Sequence, residues 1–172
     1  MKVPTPGARP PVLVVGIGSP FGDDAVGLEA AHRLAGAPPR GARVIVADRP
    51  GVDLIDMFED AEAVILIDAV RSGGCPGEVH DLSLAEISAL APQLVSSHGL
   101  GLGEAIELAR RLDRLPARGR LLGIEVSEHV QTIEQPLSEP VSAAVDDVVR
   151  RAARWVTMFA REMAWTVGPP AG

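Results

Sequence analysis

Val12-Leu13-Val14-Val15-Gly16-Ile17-Gly18-Ser19-Pro20-Phe21-Gly22-Asp23-Asp24-Ala25 is the stretch that decides the fold of this chain. It opens with four apolar residues, three of them β-branched, which is the pattern of a short strand buried on both faces. Gly16 and Gly18 let the backbone turn tightly as the strand ends. From Ala25 to Ala35 the apolar residues then recur at helical spacing. The unit is thus a buried strand, a glycine turn and a helix.

Strands and helices go on alternating downstream, without an internal repeat. Arg43 to Ala47 is a second strand candidate, followed by a short helix over Gly51 to Phe58, where Val52, Ile55 and Phe58 repeat every three residues. Ala63 to Ile67 is an unbroken apolar run that ends at Asp68. Gly77 to Leu82 alternates like an edge strand. Ser83 opens a helix to Leu90, with Glu86 three residues on as in a capping box. Gly99 to Leu112 is a further helix, Leu121 to Val126 a last strand, and Glu139 to Trp165 a long final helix with Pro140 in its first turn. Strands alternating with helices predict an α/β fold: a mostly parallel sheet of five strands, covered on both faces.

Length and composition agree. A chain of 172 residues suits one domain spanning 1–172, with 1–11 and 168–172 read as loose ends. Hydrophobic residues make up 47%, yet there are only three Phe, two Trp and no Tyr, so Ala, Val and Leu must fill the core. The net charge of −7 disfavours nucleic acid as a partner. Residues 1–11 lack the apolar core of a signal peptide, and no stretch reaches the roughly 18 apolar residues of a membrane span, so a cytoplasmic protein is expected. The single cysteine, Cys75, sits in a Gly/Pro loop without a cysteine-protease signature around it. Arg110, Arg111, Arg114, Arg118 and Arg120, and again Arg150, Arg151 and Arg154, read either as solvated helix faces or as docking points for an acidic partner.

In an open parallel sheet, ligands bind beyond the carboxyl ends of the strands. Three polar groups fall there: the Gly16–Asp24 loop, Asp68, and Ser96-Ser97-His98 ahead of a helix. The loop is not a dinucleotide fingerprint, because Phe21 stands where a third glycine is wanted, and no Walker lysine follows. Of the adjacent carboxylates Asp23 and Asp24, one suffices to cap the following helix, which leaves the other open to a cation. Asp68, at the end of a buried strand, needs either backbone amides or a cation to offset its desolvation. His98 is either a capping residue or a ligand. His129 is a secondary candidate, and His32 and His80 have weaker settings. Two carboxylates and an imidazole form a plausible divalent-metal set that leaves coordination positions open. The absence of a His-Glu-x-x-His motif excludes an ordinary zincin.

Taken together, four marks resemble the hydrogenase maturation protease family. They are Gly16-Ile17-Gly18-Ser19-Pro20-Phe21-Gly22-Asp23-Asp24-Ala25-Val26-Gly27; Ile65-Leu66-Ile67-Asp68-Ala69 with Pro76-Gly77 beyond it; Ser96-Ser97-His98-Gly99-Leu100; and Gly123-Ile124-Glu125. They occur in order between about Val12 and Val149. The resemblance implies a three-layer α/β/α fold with a twisted sheet. It also implies an endopeptidase that removes the C-terminal extension of a [NiFe]-hydrogenase large-subunit precursor after nickel insertion. The family's metal-contacting positions fall on Asp24, Asp68 and His98, which makes these the expected catalytic and metal residues. Nickel would be supplied by the precursor, and no organic cofactor is expected. Where many members carry Thr-Ala-Gly after the second strand, this chain has Asp48-Arg49-Pro50-Gly51-Val52-Asp53. The competing readings are a nickel-binding accessory protein that does not cleave and another hydrolase on a similar fold.

Overall fold

The computed structural model describes residues 12–90, 101–127 and 135–166. His98 and His129 lie outside them. The strands are β1 (Val12–Gly18), β2 (Ala42–Asp48), β3 (Ala63–Val70), β4 (Val79–Ser83) and β5 (Arg118–Glu125). The helices are α1 (Val26–Gly36), α2 (Asp53–Met57), α3 (Leu84–Leu90), α4 (Leu102–Arg111) and α5 (Glu139–Thr166), and a 3₁₀ turn at Gly22–Ala25 precedes α1. The strands form one sheet in the order β2-β1-β3-β5-β4, parallel except for β4, which pairs antiparallel with β5. The fold is the expected α/β architecture.

Alternation along the inner strands divides the core in two. Val12, Val14, Ile65, Ile67, Leu122 and Ile124 pack beneath α1 and α5, with Val141, Val145, Val148 and Ala152. Leu13, Val15, Val64, Leu66 and Leu121 pack on the other face, with Leu54, Ile87, Ala105 and Ile106 of α2, α3 and α4. Both faces of β1 and β3 are therefore apolar, and these strands read as continuous hydrophobic runs rather than alternating ones.

Two glycines bring α1 against the sheet. A Cβ at Gly16 would lie 2.1 Å from the Gly27 carbonyl oxygen, and a Cβ at Gly27 would lie 2.1 Å from that of Ile17 and 2.5 Å from that of Ile67. Of the glycines at the end of β1, Gly16 thus serves helix–sheet contact, with Gly27 of α1 opposite it. The capping box is present: Ser83 N–H donates to Glu86 Oε2 at 2.7 Å, and Glu86 N–H donates to Ser83 Oγ at 3.3 Å.

The main departure is at β3. It runs on through Asp68 to Val70, paired with β5 up to Val70↔Glu125. Asp68 lies inside the strand rather than at its end, because β5 continues to supply ladder partners beyond the apolar run.

Candidate active site

Asp23 and Asp24 leave β1 in the 3₁₀ turn and then part company. Neither side chain caps the turn or α1. The expectation that one would cap its own helix is corrected by what the Asp23 carboxylate does instead. Asp23 is buried, and it accepts Ser138 N–H at 2.6 Å and Ser138 Oγ–H at 2.9 Å. Ser138 immediately precedes α5, so Asp23 fastens the β1 loop to the start of the last helix. Asp24 accepts a hydrogen bond from the buried Ser19 hydroxyl, with Oγ 2.5 Å from Oδ2.

Asp68 projects to the face that takes Val64, Leu66 and Val70, the side covered by α2, α3 and α4. The Asp68 carboxyl is partly buried. Desolvation holds that carboxyl well above the usual carboxylate range, and the negative charge of Asp24 adds to the effect. The Ala69 N–H, 2.9 Å from Oδ1, and the Arg71 guanidinium pull the other way. The structure thus brings two of the three expected residues within electrostatic reach across neighbouring strands. His98 belongs to the segment outside the described residues. The helix it precedes, α4, packs through Ala105, Ile106 and Ala109 on the same face as Asp68. Among the described residues, no three His, Cys, Asp or Glu side chains form a metal-binding group.

Three neighbours of these carboxylates received no role in the sequence reading, although Ser19 and Glu125 stand within its four marks. Ser19 orients Asp24, and Arg71 opposes the charge of Asp68. Glu125, only 1% exposed, organises the loop after β3: its Oε1 accepts Ser72, Gly73 and Gly74 N–H at 2.8, 3.0 and 3.2 Å. Its Oε2 takes Ser72 Oγ–H at 2.7 Å and lies 3.0 Å from His80 Nε2. Burial alone would raise the Glu125 carboxyl, but the hydrogen bonds, led by those from Ser72, outweigh it and leave the group below its ordinary range. The signal for Glu125 was available, since it too is a carboxylate closing a buried strand.

Arg49 forms the rim beside Asp24. Its N–H donates to the Gly18 carbonyl at 2.9 Å, its Nε donates to Asp48 Oδ1 at 2.6 Å, and its guanidinium lies 5.7 Å from the centre of the Phe21 ring. It adopts φ +43°, a left-handed conformation that favours glycine, in the segment where the chain departs from the pattern it resembles.

Known proteins resemble this chain in sequence and fold. The family model described as hydrogenase maturation protease, HycI, matches residues 30–155. The hydrogenase expression/formation protein HupD of Rhodobacter capsulatus is 27% identical over 151 residues, covering 84% of this chain and 72% of that protein. Among solved structures, the [NiFe] hydrogenase maturation protease HybD from Thermococcus kodakarensis superposes with a TM-score of 0.69 at 29% identity, over 85% of this chain and 99% of that one. The hydrogenase maturating endopeptidase HybD from E. coli gives a TM-score of 0.72 at 23% identity, over 83% and 89% of the respective chains, a likeness of fold.

Proposed function

The chain belongs to the hydrogenase maturation protease family, and from that premise we propose that it cleaves the C-terminal extension from a [NiFe]-hydrogenase large-subunit precursor once nickel has been inserted. Asp24, Asp68 and His98 are the residues we assign to contact with the precursor's nickel and to peptide hydrolysis. The observation that carries the reading is the meeting of Asp24 and Asp68 at the carboxyl ends of β1 and β3, close enough for the charge of one to act on the other.

Nickel is part of the substrate here. Imidazole and carboxylate suit it, and a set of three protein ligands leaves room for the precursor's own groups. Metal supplied by the precursor makes cleavage conditional on loading, and it orients the scissile peptide. The chain's own residues then manage protons. Asp23 is engaged at Ser138, which leaves Asp24 and Asp68 to serve the reaction. We assign Asp68, whose carboxyl desolvation holds above the usual carboxylate range, as general base, an aspartyl-type role. It takes a proton from the attacking water as oxygen adds to the scissile carbonyl. It returns that proton to the leaving amine as the C–N bond breaks. Ser19 keeps Asp24 in place through its hydroxyl. Among the described residues no helix is long and apolar enough to cross a membrane. We place the reaction in the cytoplasm.

The test mixes the chain with nickel-loaded and nickel-free precursor and follows loss of the extension by intact mass. Only the loaded form should be cleaved, and Asp68→Ala and His98→Ala should each slow processing at least about 100-fold. Processing at the normal rate by either variant overturns the assignment. Tight nickel binding without cleavage of either precursor form points to an accessory protein.

A further inference from the structure

The two edges of the sheet are built differently. β4, at one edge, has five residues and carries charge in its middle: Asp81 takes Arg120 Nε–H at 2.9 Å and Trp155 Nε1–H at 3.0 Å. Short length and charge are the usual means by which proteins keep an edge from recruiting another strand. β2, at the other edge, is longer, and its two charged residues, Arg43 and Asp48, stand near its ends. It runs for seven residues in unbroken register with β1, Val12↔Ala42 through Gly18↔Asp48, with no bulge and no proline. Its terminal charges turn to other partners, Arg43 to the Met57 carbonyl and Asp48 to Arg49. Between them stand Val44, Ile45, Val46 and Ala47, all uncharged, and Val46 is 37% exposed. A parallel partner uses the backbone groups of alternate residues only, so the rest face outward from β2. Among the described residues no strand pairs with that side.

The open edge leads to the site. Asp48 is in register with Gly18, and Arg49 continues the contact through its N–H on the Gly18 carbonyl. The next residue of that loop is Ser19, which holds Asp24. A peptide laid along β2 would sit about 4.8 Å outside it and be delivered past Arg49 and Phe21 to the crevice.

We propose that β2 is the docking edge for the substrate: an extended segment of the precursor, adjoining its scissile bond, adds to β2 as a sixth strand. This rests on the proposed function. The ladder supplies affinity through backbone hydrogen bonds, which tolerate sequence variation, while the rim at Arg49 and Phe21 faces particular side chains. A second copy of this chain is the competing occupant, but pairing β2 with β2 would close the route that the register opens to Asp24.

The test compares precursor processing by the wild-type chain, by Val46→Lys, and by Leu112→Lys. The last is an equally drastic change at a 53%-exposed position just after α4, outside β2. Val46→Lys should raise KM about tenfold with little change in kcat, and Leu112→Lys should change neither. Amide hydrogen exchange over residues 42–48 of the wild-type chain should slow in excess precursor, a readout independent of any variant's stability. Unchanged KM in Val46→Lys, an equal rise in Leu112→Lys, or unaltered exchange at 42–48 during turnover would each overturn the proposal. So would sedimentation showing that the wild-type chain is a dimer that Val46→Lys dissociates. If the wild-type chain fails to process nickel-loaded precursor at all, the proposed function falls first and this inference with it.

Discussion

The Glu125 carboxylate gathers three consecutive backbone N–H groups, a serine hydroxyl and the His80 ring onto its two oxygens. Such a group shapes a loop rather than performing chemistry, and the shaped loop begins just after Val70, the last residue of the strand that carries Asp68. Removing the carboxylate leaves those amides without their acceptor. Glu125→Ala should therefore cost about 3 kcal/mol, a fall of about 10 °C in melting temperature for a chain of this length. Glu125→Gln keeps an oxygen for the three amides and should cost about 1 kcal/mol. Thermal denaturation of the two variants side by side checks this, and equal losses would mean that the charge matters and the acceptor geometry does not. Asp23 and Asp24 teach a similar lesson. Adjacent in sequence, they point to different tasks because only Asp23 meets Ser138.

At the scale of elements, the contact between α1 and the sheet depends on absent side chains. Gly27→Ala would drive a Cβ against two backbone carbonyls, those of Ile17 and Ile67, neither of which has a rotamer to escape with. The expected cost is about 3 kcal/mol, seen as a lower denaturant midpoint. The 3₁₀ turn that carries Asp24 leads straight into α1, so residual processing should fall further than the loss of folded protein explains. Retention of both stability and activity would show that α1 can slide outward without consequence. β3 shows how one element serves both core and site. Its apolar half fills both clusters, and the ladder to β5 then carries Asp68 rigidly beyond the core.

Across the whole molecule, the site and the fold respond to pH with opposite signs. The folded state raises the Asp68 carboxyl, so the folded chain binds that proton more tightly than the unfolded one. Its contribution to stability is complete below the unfolded carboxylate range and is lost as pH rises through the raised value. Glu125 is lowered, so its contribution is present above the unfolded range and is lost as pH falls through the lowered value. Asp68→Asn should therefore melt higher than the wild-type chain near neutral pH while losing activity. That gain should shrink as pH falls below about 3, where the wild-type carboxyl is protonated in both states. Melting curves across this range decide it, and an Asn variant less stable at every pH would show that the carboxylate is satisfied rather than desolvated.

Much of this was legible along the chain. Runs such as Val12–Val15 and Ala63–Ile67 are too apolar and too β-branched to be anything but buried strands, and the Ser83–Glu86 box starts its helix where it is written. These are local matters, settled by side-chain shape and by hydrogen bonds between residues three apart. The four marks also carried the family, because their order along the chain is itself sequence. Other features were decided only by tertiary contact. Asp68 lies inside β3 because β5 supplies ladder partners from more than fifty positions away. Asp23 fastens the β1 loop because Ser138, just ahead of α5, comes within hydrogen-bond reach of its carboxylate. The depth of Asp68 in protein and the charge of Asp24 upon it exist only once β1 and β3 lie side by side. Desolvation and Coulomb interaction depend on distance in space, and no spacing along the chain encodes them.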